Sequence, residues 1–260
     1  MYFKLRGTIP NRSRLIIELT GFLIILGLWY LITSLGLVAK AILPSPIDVV
    51  KSFKVLHFED LLVRNTLYSI KLNVLGYLEA IIGSIFFGFL IGLFPFFRAL
   101  LSRYIDAIRF IPLAAVTGIF IAWFGIYTNM KIHFLAFGIF VFLLPVVVQR
   151  IDEVSDVYVQ TAFTLGATPW QKIRYVFWPH VTSRLIDDIR VLTAISWTYI
   201  IVAELVNREK GLGAMIYLSQ RQSRLDKVFA LLIVIILIGF LQDRLFSGID
   251  KALFPHKHTK

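Results

Sequence analysis

Long apolar stretches without charge dominate this chain, and short polar connections separate them. Five can be read directly: Leu19 to Ala39, Ala80 to Phe97, Phe110 to Met130, Ile132 to Val148 and Val228 to Gln242, each 15 to 21 residues long. Crossing a hydrocarbon core roughly 30 Å thick takes about 20 residues at 1.5 Å each, and lipid satisfies no backbone polar group, so each crossing has to be a helix. The first four stretches suffice unaided. The fifth suffices with Lys227 and Asp243 at the interfaces, where polar ends of side chains meet headgroups or water. A sixth is written less plainly, because Val191 to Ala203 is short and bracketed by Arg190 and Glu204. Its helix has to carry polar groups into the bundle. The predicted fold is all-α, a polytopic membrane helix bundle of about six transmembrane helices.

Composition narrows the function classes. The chain has 260 residues, 58% hydrophobic and 17% charged, with a mean hydropathy of +0.78; a soluble domain carries about 25% charged residues. The net charge of +11 is scattered through the connections instead of lining one soluble face, which argues for membrane orientation over nucleic-acid binding. Zero cysteines exclude disulfides, thiolate metal sites and a cysteine nucleophile. Lys4, Arg6, Arg12 and Arg14 precede the first apolar stretch, which exceeds the 7 to 15 residues of a signal-peptide core and is read as a retained helix. With this basic arm (1–14) in the cytoplasm, six spans leave both termini inside, and a weak excess of Lys and Arg on the inner side agrees. Residues 15–247 then form one membrane domain and 248–260 a cytoplasmic tail. No G-x-x-x-x-G-K-[ST] phosphate loop occurs. Nor is there a convergent catalytic set: His57, His180, His256 and His258 fall in connections or the tail, and His133 starts the fourth span.

The longest internal connection holds an amphipathic segment, VYVQTAFTLGATPWQKIRYVFWP, from Val157 to Pro179. Gly166 can take the left-handed conformation that ends a helix. Thr168 can cap the next one, Pro169 suits its first position, and Gln171 completes a capping box. Two short helices joined by a tight bend are predicted at the cytoplasmic surface. Their apolar side chains Val159, Phe163 and Leu165 need a cover.

Other features are open to blander readings. Gly88-x-x-x-Gly92 signals close helix packing within the chain. Glu79 and Glu204 are carboxylates at or near membrane depth, where charge is costly and has to be paired; for Glu79 the candidate partners are Lys71, two turns away, or a neighbouring helix. Trp123, Trp197 and Tyr199 fit interfacial belts as well as a pathway lining. The basic loop containing Arg208, Arg221 and Arg224 fits lipid headgroups as well as an anionic solute or partner.

Several motifs occur together in a known order. Leu43-Pro44-Ser45-Pro46, Arg109-Phe110-Ile111-Pro112, Trp123-Phe124-Gly125, Leu165-Gly166-Ala167, Ala203-Glu204-Leu205 and Gly211-Leu212-Gly213 resemble, over roughly Leu15 to Phe246, the permease subunits of ABC importers of the aliphatic sulfonate, taurine, nitrate and bicarbonate type. That family carries an E-A-A-x-x-x-G loop where this chain has Gln160-Thr161-Ala162 and Gly166, and a glycine where it has Asp188.

The resemblance implies a non-enzymatic transport subunit of the bacterial inner membrane, with no cofactor in this chain and ATP bound by a partner. It makes 157–180 a cytoplasmic helix-turn-helix coupling loop. Gln160, Thr161, Ala162, Gly166, Ala167 and Thr168 would dock a cytosolic ABC ATPase, while Trp197, Tyr199 and Glu204 are candidates for the translocation path. A second permease copy, an extracytoplasmic substrate-binding protein and membrane lipid are the other implied partners. The cargo would be a small anion such as a sulfonate, taurine, nitrate or bicarbonate. A thiamine-precursor-like solute on the same scaffold, or an ion-coupled secondary transporter, is the alternative.

Overall fold

A computed structural model describes residue 7 and residues 9–257; Lys4 and Arg6 of the basic arm, the His258 of the tail and Lys260 lie outside the described residues. Those described form helices α1 (Asn11–Ser34), α2 (Pro46–Phe58), α3 (Leu62–Leu93), α4 (Pro95–Ile108), a 3-10 turn (Leu113–Val116), α5 (Thr117–Phe124), α6 (Thr128–Asp152) and α7 (Asp156–Thr164). After them come α8 (Pro169–Lys172), a π turn (Ile173–Phe177), α9 (Trp178–Glu204), α10 (Leu212–Arg221), α11 (Leu225–Leu253) and a final 3-10 turn (Pro255–Lys257). No strand occurs among the described residues.

Among the described residues, α1, α3, α6 and α11 are long and apolar enough to cross a membrane, and α4 with the segment Leu113–Phe124 adds a fifth candidate bent by 101°. The stretch Phe110 to Met130, expected as one span, is therefore not one helix. Pro112 disfavours helical geometry at Ile111. Gly125, at φ +73, then adopts a conformation that side chains resist, so Trp123-Phe124-Gly125 ends α5 and α6 begins only at Thr128. Charge boundaries also misplaced helix ends: α3 starts far before Ala80 and contains Lys71 and Glu79. Likewise α11 continues past Asp243, expected at an interface, to Leu253. The sixth expected span is α9, which carries Arg190 well inside a 27-residue helix.

The chain divides into two units. The smaller combines the described residues up to Leu61 with Leu218–Leu232. In it Ser45 caps α2 by accepting from the Asp48 amide (3.1 Å), with Pro46 in the first turn. Trp29 donates to the Pro44 carbonyl (3.0 Å), and buried Lys227 pairs with Asp60 at 2.6 Å. The side chains of α1 are largely exposed and apolar, as a lipid-facing helix requires.

The larger unit comprises Leu62–Tyr217 and Ile233–Lys260 and packs around α6. Helix α3 lies against α6 through Gly76, Gly88 and Gly92: a Cβ at Gly88 would collide with Val147, and one at Gly92 with Ile151. Such close backbone approach is what small residues permit where lipid offers no hydrophobic drive. On another face of α6, Gly138 makes room for Leu113 and the Tyr199 ring of α9. Gly88→Leu is expected to destabilise the unit by about 1–3 kcal/mol through overpacking, measured as a lowered Tm in detergent; an unchanged Tm contradicts this packing.

Candidate functional site

The turn between α7 and α8 is closed by its own backbone. Gly166, at φ +74, donates to the Phe163 carbonyl, and Ala167 donates to the Ala162 carbonyl, both at 2.9 Å. That pair of bonds is the Schellman ending, which requires a left-handed residue at Gly166. The capping box is also formed: the Gln171 amide donates to Thr168 Oγ1 (3.3 Å), and the Thr168 amide to Gln171 Oε1 (2.7 Å). Lys172 lies 5.0 Å from the Phe163 ring centroid, linking the two helices by a cation–π contact. Beyond the turn the second helix is not a separate piece. It runs through the π turn into α9 without a break.

Gln160, Thr161, Gly166 and Thr168 are exposed, with Ala162 and Ala167 half-buried. Phe163 is 72% and Leu165 80% exposed, while Val159 is half-buried. Beneath the turn lies a cavity of about 610 Å³, lined by Tyr158, Ala162, Leu165, Tyr175 and Phe254 among others.

The segment is anchored at its base. Asp188 of α9 accepts both guanidinium hydrogen bonds of Arg150 of α6 at 2.7 Å, and Arg150 also reaches Glu153. Arg184 adds a second bond to Glu153 at 2.9 Å. The hydrogen bond from Arg150 holds the Glu153 carboxyl below its ordinary range, with Arg184 assisting. Its contribution to stability is therefore present at neutral pH and lost as pH falls through the depressed value.

At the opposite end of α9, Glu204 is fully buried. It accepts from Ser69 Oγ (2.6 Å) and from the Gly213 amide (2.7 Å), while Ser69 accepts from the Leu212 amide (2.8 Å) and Asn65 from that of Gly211 (2.9 Å). A Cβ on Gly211 would overlap the Glu204 carboxylate, and one on Gly213 would stand 2.7 Å from the Ile201 carbonyl. The motifs around Glu204 and Gly211-Leu212-Gly213 thus make one latch. Beside it Lys131 is fully buried, and its ammonium has no hydrogen-bond partner among the described residues. It stands 5.5 Å from the Tyr68 ring. Lys131 was missed in the sequence as a separator between two apolar stretches. The available signal was its being the lone Lys, Arg, Asp or Glu between Phe110 and Val148.

Trp197 is also buried, donating to Gln242 Oε1 of α11 at 2.6 Å next to a buried Asn73–Ser196 hydrogen bond (3.0 Å). Tyr199 is half-buried against Gly138. Trp197, Tyr199 and Glu204 therefore do not converge on an open surface in this conformation. Glu79 does reach one, and its partner is His133 of α6, not Lys71.

Comparison with known proteins places these motifs. The sequence profile described as "Binding-protein-dependent transport system inner membrane component" matches residues 84–255, which contain the capped turn and, of the latch, Glu204 with Gly211-Leu212-Gly213. The chain belongs to this family. It is 29% identical over 239 residues, 91% of its own length and 86% of the relative's, to the putative aliphatic sulfonates transport permease protein SsuC of Bacillus subtilis. To the taurine transport system permease protein TauC of Escherichia coli it is 24% identical, covering 97% of this chain and 94% of TauC. Its fold matches the inward-facing MetNI methionine ABC transporter with TM-score 0.59 at 19% identity, over 75% of this chain and 98% of that one. The protein is an ABC importer permease, a membrane protein and not an enzyme. In this family ATP hydrolysis belongs to a separate ATPase subunit, and a substrate-binding protein is the other implied partner.

The permease's departure at Asp188 has a local physical account, since the carboxylate occupies the Arg150 fork. Asp188→Gly is expected to lower Tm and to make Arg150→Met less costly in that background, where only the Glu153 contact is left to lose, with a coupling energy of about 1–2 kcal/mol in a double-mutant cycle; additive effects would show that the pair is not coupled. Glu204→Ala leaves the Ser69 hydroxyl and the Gly213 amide without their buried acceptor and is expected to cost about 1–3 kcal/mol for each group stranded, read as a lowered Tm; an unchanged Tm would refute the latch.

Proposed function

We propose that this permease imports a small sulfonate-type organic anion, with the exposed turn at Gly166 as the dock for the ATPase and a second permease copy completing the path. Supporting this reading is one observation above all: Phe163 and Leu165 stand exposed on a doubly capped bend, where their apolar area requires a partner. The curated relatives named above are permeases for aliphatic sulfonates and taurine, which is the support for the cargo class. Both termini lie in the cytoplasm, the N-terminal basic arm among them, and lipid surrounds the apolar faces of the spans.

ATP-driven closure of the ATPase pair moves the turn. Because the turn runs into α9 and the Arg150–Asp188 fork ties α9 to α6, the motion reaches the bundle as a rigid-body shift between inward and outward access. A glutamine at 160 keeps hydrogen bonding and removes the family's charge, so the contact rests on shape and apolar burial.

Nothing lies within 4 Å of a Cβ built at Gly166, so substitution there acts on the backbone alone. Gly166→Val is expected to strain the turn by roughly 1–2 kcal/mol or more and to cut ATP-driven uptake at least tenfold while the ATPase still turns over. Gly166→Asn, which tolerates the left-handed region, should keep most of the uptake. Full uptake by Gly166→Val contradicts the docking role, and uptake driven by a proton gradient without the ATPase would favour a secondary transporter.

A further inference from the structure

Past Leu253 the chain folds back over the end of α11. The Phe254 amide donates to the Asp250 carbonyl (2.8 Å) and the Lys257 amide to the Phe254 carbonyl (3.1 Å), closing the turn Pro255–Lys257. An ammonium has three donors, and that of Lys257 uses all of them. It donates to the Ser183 carbonyl at 2.6 Å, to Asp187 Oδ2 at 2.9 Å and to Asp250 Oδ1 at 2.8 Å. Ser183 and Asp187 stand four residues apart, on one face near the start of α9. Asp250 is buried near the end of α11.

A lone surface ion pair contributes little. This one is half-shielded and has three acceptors on two helices, with the Lys257 side chain 23% and that of Asp250 9% exposed. Its position also matters. Adjacent carboxylates tie the base of α9 to different helices: Asp188 holds Arg150 of α6, and Asp187 holds Lys257. Farther along α9, Arg190 bonds Asp243 and Trp197 bonds Gln242, both of α11. Backbone packing joins α9 closely to α6, whereas these long polar side chains bridge α9 to α11. Of the three bridges to α11, that of Lys257 is nearest to the Gly166 turn. Phe254, three residues before it, lines the cavity beneath that turn with Tyr158 and Leu165.

We infer that Lys257 is a positioning residue for energy coupling, fastening the end of α11 to the base of α9 so that displacement of the Gly166 turn moves both helices together. This rests on the turn being the ATPase dock. Lys257 touches neither solute nor ATP and acts through α9. Cutting its bridge lets the base of α9 pivot against α11, so part of the displacement is lost before it reaches the bundle as a rigid-body shift.

The test uses the assembled transporter in proteoliposomes, with ethanesulfonate as probe. Lys257→Met should leave the ATPase bound and hydrolysing while ethanesulfonate uptake per ATP falls at least fivefold. Lys257→Arg, which keeps a charged donor for several acceptors, should retain most of the uptake. Asp187→Ala removes only the exposed end of the bridge and should give a smaller loss, which decides the matter if Lys257→Met fails to assemble. Since the chain has no cysteine, spin labels at Thr182→Cys and Lys251→Cys, with a cysteine-free ATPase, report the spacing of α9 and α11 directly. That spacing should be the same with and without ATP, and should broaden or lengthen with ATP once Lys257→Met is added. Unchanged uptake per ATP, equal losses in Lys257→Met and Lys257→Arg, or a spacing indifferent to Lys257→Met would overturn the inference. No ethanesulfonate uptake by the unsubstituted protein would instead overturn the sulfonate reading, and no ATPase adduct at Phe163→Cys the docking reading; the label spacing decides the role of Lys257 in either case.

Discussion

A hydrocarbon surround offers polar groups nothing, and the larger unit of this permease is organised by that constraint. Several polar side chains that the spans carry inward meet a partner on another helix: Asn73 with Ser196, Trp197 with Gln242, Tyr77 with the Ile189 carbonyl, Arg190 with Asp243. These bonds join α3, α9 and α11 where apolar packing alone would leave the helices free to slide, because lipid tails compete equally for leucine. Glycine does the complementary work on α6, letting α3 and α9 approach until side chains interlock. Polar bonds fix register and glycines fix distance.

The same constraint separates the two ends of α9. At the latch, Glu204 and Ser69 immobilise the start of α10 by satisfying backbone amides in a fully buried place. At the Gly166 turn, bonds are satisfied internally by caps, and the apolar side chains are left outside. One end is complete within the chain and the other is built to be completed by something else. Helix α9 joins the two ends without a break.

How much of this was legible before the coordinates follows from where the information is local. The Schellman turn and capping box at Gly166–Gln171 are local chemistry, and the residues state them outright. The Gly88 and Gly92 packing was legible as a signal, though its partner on α6 was not. What failed to show was long-range pairing: Lys131 looked like a boundary between spans and Arg190 and Asp243 like interface markers, while for Glu79 a neighbouring helix stood beside Lys71 as candidate partner and supplies it through His133. Arg190 and Asp243 pair between α9 and α11, and Lys131 is buried over the Tyr68 ring of α3, all contacts between helices distant in sequence. Counting apolar residues between charges therefore placed helix ends at charges that the helices run past. The break at Trp123-Phe124-Gly125 was visible as a motif, but its meaning as a helix end required the positive φ of Gly125.

The account turns on the exposed bend being the surface that the ATPase grips. Because the chain lacks cysteine, Phe163→Cys introduces a single thiol there, and site-directed cross-linking in membranes containing the complete transporter tests the contact directly. The account predicts a covalent adduct between this variant and the ATPase subunit, with none from a thiol placed at Leu218 in α10. An adduct from Leu218→Cys, or no adduct from Phe163→Cys in a complex that still hydrolyses ATP, would contradict it.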